Sequence, residues 1–351
     1  MKIPVLPQSN AAALASRNFE DFDAETLALW SRDFVSLKHP APPLPHKLIL
    51  ELVNSCNLDC PMCRVGQYGI DFSRTMPLAV VTRLLSQLPS LKTVRINGLG
   101  ESTILPNFIE YIDIIEASSP CKIELITNGT GPISSYERVL SSGGKIYFSW
   151  DAASPSLFEK LRRPAKWEVC YATLESTSIA LVNQKLSGST HLLFTFQATN
   201  ILELPKVVEI AKKLNISTVV VNLEKKAGVH WVFSRIQQIR EATSEAIATA
   251  QTSDVRLLAP SHLNGQPLDV QGLLTAAHVK CEAPWTEALV RYNGDIQSCN
   301  MFNPYTYGNI HLSHFQQIWT NRFAQVFRAN LNSPSKHPYC RGCVYTADSY
   351  D

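Results

Sequence analysis

From residue 47 to residue 224 the chain repeats one pattern six times: a short, nearly continuous apolar run, a cluster of turn residues, then an amphipathic stretch. The runs are KLILELVN (47–54), KTVRING (92–98), KIELITNG (122–129), KIYFSWD (145–151), THLLFTFQATN (190–200) and STVVVNLE (217–224). Between them lie helical patterns such as PLAVVTRLLSQL (77–88), LPNFIEYIDIIEAS (105–118) and LPKVVEIAKKLN (204–215), with Pro77 near a start and Gly143-Gly144 at a stop. Strands that are apolar along their whole length, alternating with helices, predict a parallel sheet covered by helices. Right-handed crossovers wind such a sheet into a barrel or part of one, here a partial (β/α)6 TIM-like barrel. Chemistry in such folds gathers at the C-terminal ends of the strands.

The rhythm breaks at about residue 225. A long helix (228–251), a short strand DVRLLAP (254–260) and a poorly patterned connector (261–278) precede a last segment rich in aromatics, cysteines and turn residues. Four regions result: an N-terminal extension at 1–45 with a short helix and a proline-rich connector, the barrel at 46–225, a helical insertion at 226–280 and a C-terminal unit at 281–351. With 45% apolar and 18% charged residues and a net charge of +2, the 351-residue chain gives no reason to expect nucleic acid or an acidic membrane as partner. It has no apolar run of about 18 residues, and its first residues lack the apolar core of a signal peptide. Nine cysteines in such a chain point to metal in a reducing cytoplasm rather than to a disulfide framework. Cys121 and Cys170 stand alone and read as small buried hydrophobes.

Cys56, Cys60 and Cys63 follow the first strand in NSCNLDCPMCR, spaced C-x3-C-x2-C. Three thiolates on one tight loop can hold three irons of a cubane cluster and leave the fourth open to a small molecule. An open zinc site is the competitor. It suits the sequence less well, because His46 stands at the opposite end of the first strand.

The loop and its wording, LELVNSCNLDCPMCR with Asn57, Pro61, Met62 and Arg64 beside the cysteines, resemble the signature of the radical S-adenosylmethionine (radical SAM) enzymes. That resemblance implies a [4Fe-4S] cluster whose open iron binds S-adenosylmethionine (SAM). It further implies reductive cleavage of SAM to a 5′-deoxyadenosyl radical, hydrogen abstraction from substrate, and an electron donor such as flavodoxin or ferredoxin. Gly98, Gly100 and Glu101 in INGLGES resemble the family element that holds the methionine amino group, with Ser102 where proline is frequent. ITNGT (126–130), Ser149 and Asp151 in FSWDAAS, and Gln197 and Asn200 in FQATN resemble further stretches that reach SAM or substrate. Turn formation and helix capping are the ordinary uses of the same residue types, Asn200 included. Arg162 and Arg163 resemble the family's basic contact to the SAM carboxylate.

Cys281 and Cys299 bracket a segment that turns at Asn293-Gly294, a strong hairpin signal, and Cys340-x2-Cys343 adds two more thiols. From spacing alone, four such thiolates suit either a [4Fe-4S] cluster or zinc. The C-x12-G-x4-C form, and the connector YGNIHLSHFQQIWTNRFAQVFR, expected as a turn followed by an amphipathic helix, resemble the SPASM/twitch extension of radical SAM enzymes. The resemblance implies a twitch-type domain, hairpin plus helix, with one auxiliary [4Fe-4S] cluster on Cys281, Cys299, Cys340 and Cys343. The implied reaction is a two-electron oxidation of a small-molecule alcohol or sugar, the auxiliary cluster taking one electron. Glu224 and His230, past the sixth strand, are candidate proton acceptors. The alternative is maturation of a ribosomal peptide by epimerisation or crosslinking; for epimerisation Cys121 or Cys170 is the candidate hydrogen donor. A zinc-stabilised scaffold without chemistry is the third reading.

Overall fold

The computed structural model describes residues 42–63, 68–224, 230–260, 281–299, 305–331 and 340. The expected N-terminal helix, the connector at 261–278, Arg64 and Cys343 lie outside the described residues. Six parallel strands form in the expected places: β1 (Lys47–Leu50), β2 (Thr93–Ile96), β3 (Lys122–Thr127), β4 (Lys145–Ser149), β5 (Ser189–Phe196) and β6 (Thr218–Leu223). Each neighbour pair is in parallel register, for example Leu50 with Ile96 and Ile96 with Leu125. The helices between them are α1 (Leu78–Ser86), α2 (Phe108–Ser118), α3 (Ile133–Ser141), α4 (Pro155–Leu161), α5 (Trp167–Asn183) and α6 (Leu204–Lys213).

Alternation along the strands separates two faces. Val94, Ile96, Ile123, Leu125, Ile146, Phe148, Phe194 and Phe196 are buried and join one core with Val81 and Leu84 of α1, Ile112 and Ile115 of α2, and Val139 and Leu140 of α3. Each such side chain contributes about 1.5–3 kcal/mol. The intervening positions are less buried and more polar: Arg95, Glu124, Tyr147, Ser149, Thr195 and Asn222. Glu124 ion-pairs there with Arg95 at 2.6 Å and Lys47 at 3.5 Å, and Tyr147 stacks on His191 with centroids 4.8 Å apart.

The sheet runs beyond six parallel strands. After α7 (His230–Gln251), β7 (Arg256–Leu258) adds in parallel to β6. Past α8 (Ala283–Thr286), β8 (Glu287–Val290) adds in parallel to the other edge of β1, pairing Lys47 with Glu287 and Leu50 with Val290. The edge of β1 presents unpaired backbone groups, and β8 satisfies them. β9 (Asp295–Gln297) returns antiparallel to β8 through the expected turn, where Gly294 has φ +89°. A third strand, β10 (Thr306–Asn309), pairs with β9 where only a turn was expected. Its sequence TYGN carries no alternation that would mark it. The expected single helix after it is two, α9 (Phe315–Trp319) and α10 (Arg322–Leu331). Asn321 divides them, because its side chain accepts the Ala324 N–H at 3.0 Å and so caps the second. The order β10-β9-β8-β1-β2-β3-β4-β5-β6-β7 leaves the sheet open, a partial barrel extended at the β1 edge by the C-terminal unit.

Candidate active site

The cysteine trio occupies the loop that leaves the C-terminal end of β1. Several backbone bonds pin it: Asn54 N to Arg74 O at 2.9 Å, Gly69 N to Cys56 O at 2.9 Å, Asp59 N to Arg163 O at 2.6 Å and Cys63 N to Cys60 O at 3.0 Å. Cys56 is half-buried, Cys60 buried and Cys63 exposed. Burial pushes the Cys56 thiol up to about 12, with the Glu101 carboxylate adding to the shift. Burial pushes Cys60 up to about 11, while the Arg162 guanidinium works against it. Two N–H donors already reach the Cys56 sulfur, Leu58 N at 3.4 Å and Asn128 Nδ2 at 3.8 Å. Thiols supplied with such donors and a neighbouring cation suit binding as thiolates, which metal ligation enforces. Among the described residues no three His, Cys, Asp or Glu side chains converge on one point as ligands of a single ion. Three thiols on one tight loop are a donor set that fits an iron–sulfur cluster.

Asn128 belongs to a small network that sequence reading placed only as part of ITNGT. Its Nδ2 donates to Asn57 Oδ1 at 3.0 Å, and its Oδ1 accepts from Thr130 Oγ1 at 2.6 Å. Asn57 Nδ2 in turn donates to Thr130 Oγ1 at 2.9 Å. The end of β3 thereby holds the first cysteine's sulfur and its neighbour in one orientation.

The glycine loop after β2 packs directly on the cysteine loop. A Cβ at Gly100 would stand 2.3 Å from Val53 O and 2.5 Å from Ser55 O, and Glu101 N donates to Ser55 O at 3.1 Å. A Cβ at Gly98 would stand 2.4 Å from Glu51 Cγ. Both glycines serve close approach of loop to loop. The Glu101 carboxylate turns inward: Thr103 Oγ1 donates to it at 2.7 Å, Thr127 Oγ1 at 2.9 Å and Asn128 N at 2.6 Å, and Thr103 N at 3.2 Å. Burial pushes its carboxyl up, and these bonds work against the rise. Its side chain thus ties the β2 loop to the end of β3, and its backbone N–H ties the β2 loop to the cysteine loop.

Asp151 and Arg162 form a buried ion pair, and Asp151 Oδ1 also accepts Thr195 N at 2.8 Å. Arg163 is exposed instead and pairs with Asp59 at 3.2 Å. Asn200 is fully buried and holds backbone: its Nδ2 donates to Asp151 O at 2.9 Å and Thr195 O at 3.0 Å, and its Oδ1 accepts Gln197 N at 2.7 Å. It locks the β4 and β5 ends and makes no side-chain cap to the helix that follows. Ser149 is half-buried at the end of β4. Two buried polar atoms here, Gln197 Nε2 and Arg162 Nε, have no hydrogen-bond partner, which suits a polar ligand at this edge. Glu224 is half-buried just past β6, and His230 is the first residue of α7. Cys121 precedes β3 and so lies at the opposite end of the parallel strands from the trio, and Cys170 is buried in α5. His46, before β1, is likewise at the far end, bonded through its N–H to Thr286 O at 3.1 Å.

Two of the C-terminal cysteines flank the β8–β9 hairpin along the chain. Cys281 precedes α8 and β8, Cys299 follows β9, and Cys281 and Cys340 both pack against the core. The Tyr307 hydroxyl is pushed well above its ordinary value, first by burial, with the Arg328 charge opposing and Cys299 adding to it.

Residues 50–223 match the family model of the radical SAM superfamily, and residues 281–344 that of the SPASM iron–sulfur cluster-binding domain. The chain is a radical SAM protein with a C-terminal SPASM domain. As such it is an enzyme that uses SAM with a [4Fe-4S] cluster and carries an auxiliary iron–sulfur cluster. A curated relative, the tungsten-containing aldehyde ferredoxin oxidoreductase cofactor-modifying protein of Pyrococcus furiosus, is 21% identical over 330 residues, 84% of this chain and 86% of the relative. Among solved structures, SuiB of Streptococcus suis bound to SAM superposes with a TM-score of 0.63 at 14% identity, covering 85% of this chain and 77% of that one. SuiB bound to its precursor peptide SuiA gives 0.62 at 14% identity, over 85% and 76%. Native anSMEcpe with bound AdoMet gives 0.58 at 14% identity, over 80% and 82%. These likenesses establish the radical SAM fold with its auxiliary domain. No described helix is long and apolar enough to cross a membrane.

Proposed function

We propose that this radical SAM protein oxidises its substrate by two electrons, with Cys56, Cys60 and Cys63 holding the SAM-binding cluster. Cys281, Cys299, Cys340 and Cys343 hold the auxiliary [4Fe-4S] cluster in the same reading. When bound, these groups supply a 5′-deoxyadenosyl radical that takes a hydrogen atom from the substrate, and an acceptor for the electron left behind. The chain's own residues do the rest. Gly98 and Gly100 let the second loop close on the first, and Glu101 and Asn128 keep that packing in register. Gln197 and Arg162 offer unpartnered donors to SAM, with Ser149 beside them and Asp151 and Asn200 fixing their backbone. Glu224 or His230 takes the proton released when the substrate hydroxyl becomes a carbonyl. Flavodoxin or ferredoxin is the expected reductant.

The observation that carries this reading is the pairing of β8 with β1, which seats the C-terminal unit on the strand that leads into the cysteine trio. The polar inner face, with Ser149, Thr195 and Asn222, favours a hydroxyl-bearing small molecule such as an alcohol or sugar. A second reading, maturation of a peptide, draws support from SuiB, solved with a precursor peptide. Incubation of candidate substrates with SAM and reductant, followed by mass spectrometry, separates them. A loss of two hydrogens with a product trapped by a hydrazine supports alcohol oxidation. Two hydrogens lost from a peptide without a trappable carbonyl, or unchanged mass with one deuteron gained in heavy water, supports peptide crosslinking or epimerisation and sinks the first reading.

A further inference from the structure

Glu51 follows β1, inside the stretch LELVNSCNLDCPMCR, and is completely buried. Its carboxylate is bonded to three separate segments. Oε1 accepts from Asn54 Nδ2 at 2.9 Å, at the start of the cysteine loop, and from Leu99 N at 2.8 Å, between the two glycines. Oε2 accepts from Arg291 Nε and from Tyr292 N at 3.4 Å, at the turn of the β8–β9 hairpin. A second bridge runs beside it: Arg74 Nη2 donates to Asn54 Oδ1 at 2.6 Å, and its guanidinium lies 5.3 Å from the Tyr292 ring centroid. The Glu51 N–H also continues the β1–β8 ladder by donating to Val290 O at 2.9 Å.

We propose that Glu51 is a positioning residue that couples the SPASM domain to the SAM site. A buried carboxylate stays buried only while it is paired and its lone pairs are occupied. Arg291, on the auxiliary hairpin, is its ionic partner. With that turn docked, the remaining oxygen holds Asn54 and Leu99, which set the cysteine loop and the glycine loop against each other. With the turn displaced, Glu51 loses its counter-charge and must rearrange towards water, releasing both donors. The loops that frame SAM therefore have one arrangement with the hairpin docked and another without it. Coupling of this kind is reciprocal: an intact auxiliary site tightens SAM, and SAM stabilises the auxiliary domain. Neither effect requires any contact between Glu51 and SAM.

The inference rests on the cluster assignments proposed above, and one experiment separates the two. SAM affinity is measured by anaerobic calorimetry, with iron counted in each sample, for the wild-type protein, Glu51→Gln, the Cys281→Ala/Cys299→Ala pair, and all three changes together. Glu51→Gln keeps an oxygen for Asn54 and Leu99 but removes the charge that holds Arg291. The expected result is a loss of affinity on the order of tenfold in Glu51→Gln, a similar loss in the cysteine variant, and no further loss in combination. Arg291→Met, at the less buried end of the pair, shows the same loss if Glu51→Gln does not fold, and Arg291→Lys restores most of it. Wild-type affinity in Glu51→Gln or Arg291→Met, or losses that simply multiply in the combined variant, overturn the coupling. A wild-type protein that holds no iron or binds no SAM overturns the functional reading itself, and the coupling with it.

Discussion

Gly100 has backbone oxygens of Val53 and Ser55 where its side chain would be. Gly100→Ala forces the two loops apart, at a cost of about 1–3 kcal/mol. A lower denaturation midpoint and reduced iron incorporation after reconstitution are the expected outcomes. That a glycine matters at this position was legible in INGLGES, but its reason was not, because the obstructing atoms belong to the cysteine loop. Glu101 shows the converse. An acid beside glycines reads as a ligand contact, and the structure adds that its carboxylate also accepts from Thr103, Thr127 and Asn128. His191 offers a pH test away from the clusters. Burial, and then the Lys145 charge, push its imidazole down from 6.5 to about 4. The unfolded chain then binds a proton that the folded one refuses, so stability is full above about pH 6.5 and falls as pH drops towards 4. Between about pH 6.5 and 5 the loss is about 2 kcal/mol, which His191→Gln removes. Thermal unfolding of both proteins across that range measures it.

At the scale of elements, α4 depends on a residue from outside itself. Glu203 accepts Ala153 N at 2.8 Å and Ser154 N at 2.9 Å, at the positive end of α4, and pairs with Lys206 at 3.2 Å. Burial alone would raise its carboxyl, but the Ser154 and Ala153 bonds outweigh this and hold it below its ordinary value. Glu203→Ala is expected to cost about 1–2 kcal/mol in chemical denaturation, with the effect vanishing as pH falls and the carboxylate protonates. The six strands and their helices were legible because apolar period is a local property, and prolines and glycines mark their ends. β10 and the α9–α10 break were not. A four-residue strand carries too little pattern, and Asn321 looks like any polar helix residue until its side chain is seen capping Ala324.

For the whole molecule, two cubane clusters mean about eight irons per chain after anaerobic reconstitution. Cys60→Ala is expected to lower that to about four and to abolish 5′-deoxyadenosine formation, while leaving the auxiliary cluster's absorbance. Stoichiometric zinc with little iron would defeat the cluster assignment. The sequence by itself determined the βα order, the placing of the cysteine trio after the first strand and the β8–β9 hairpin. All of these rest on spacing between near neighbours. Only the tertiary structure decided that β8 joins β1, that Asp151 is taken by Arg162, that Asn200 holds backbone, and that Glu51 meets Arg291 across 240 residues. Partners of buried polar groups are chosen by which chain segments pack together, and no local pattern records that choice.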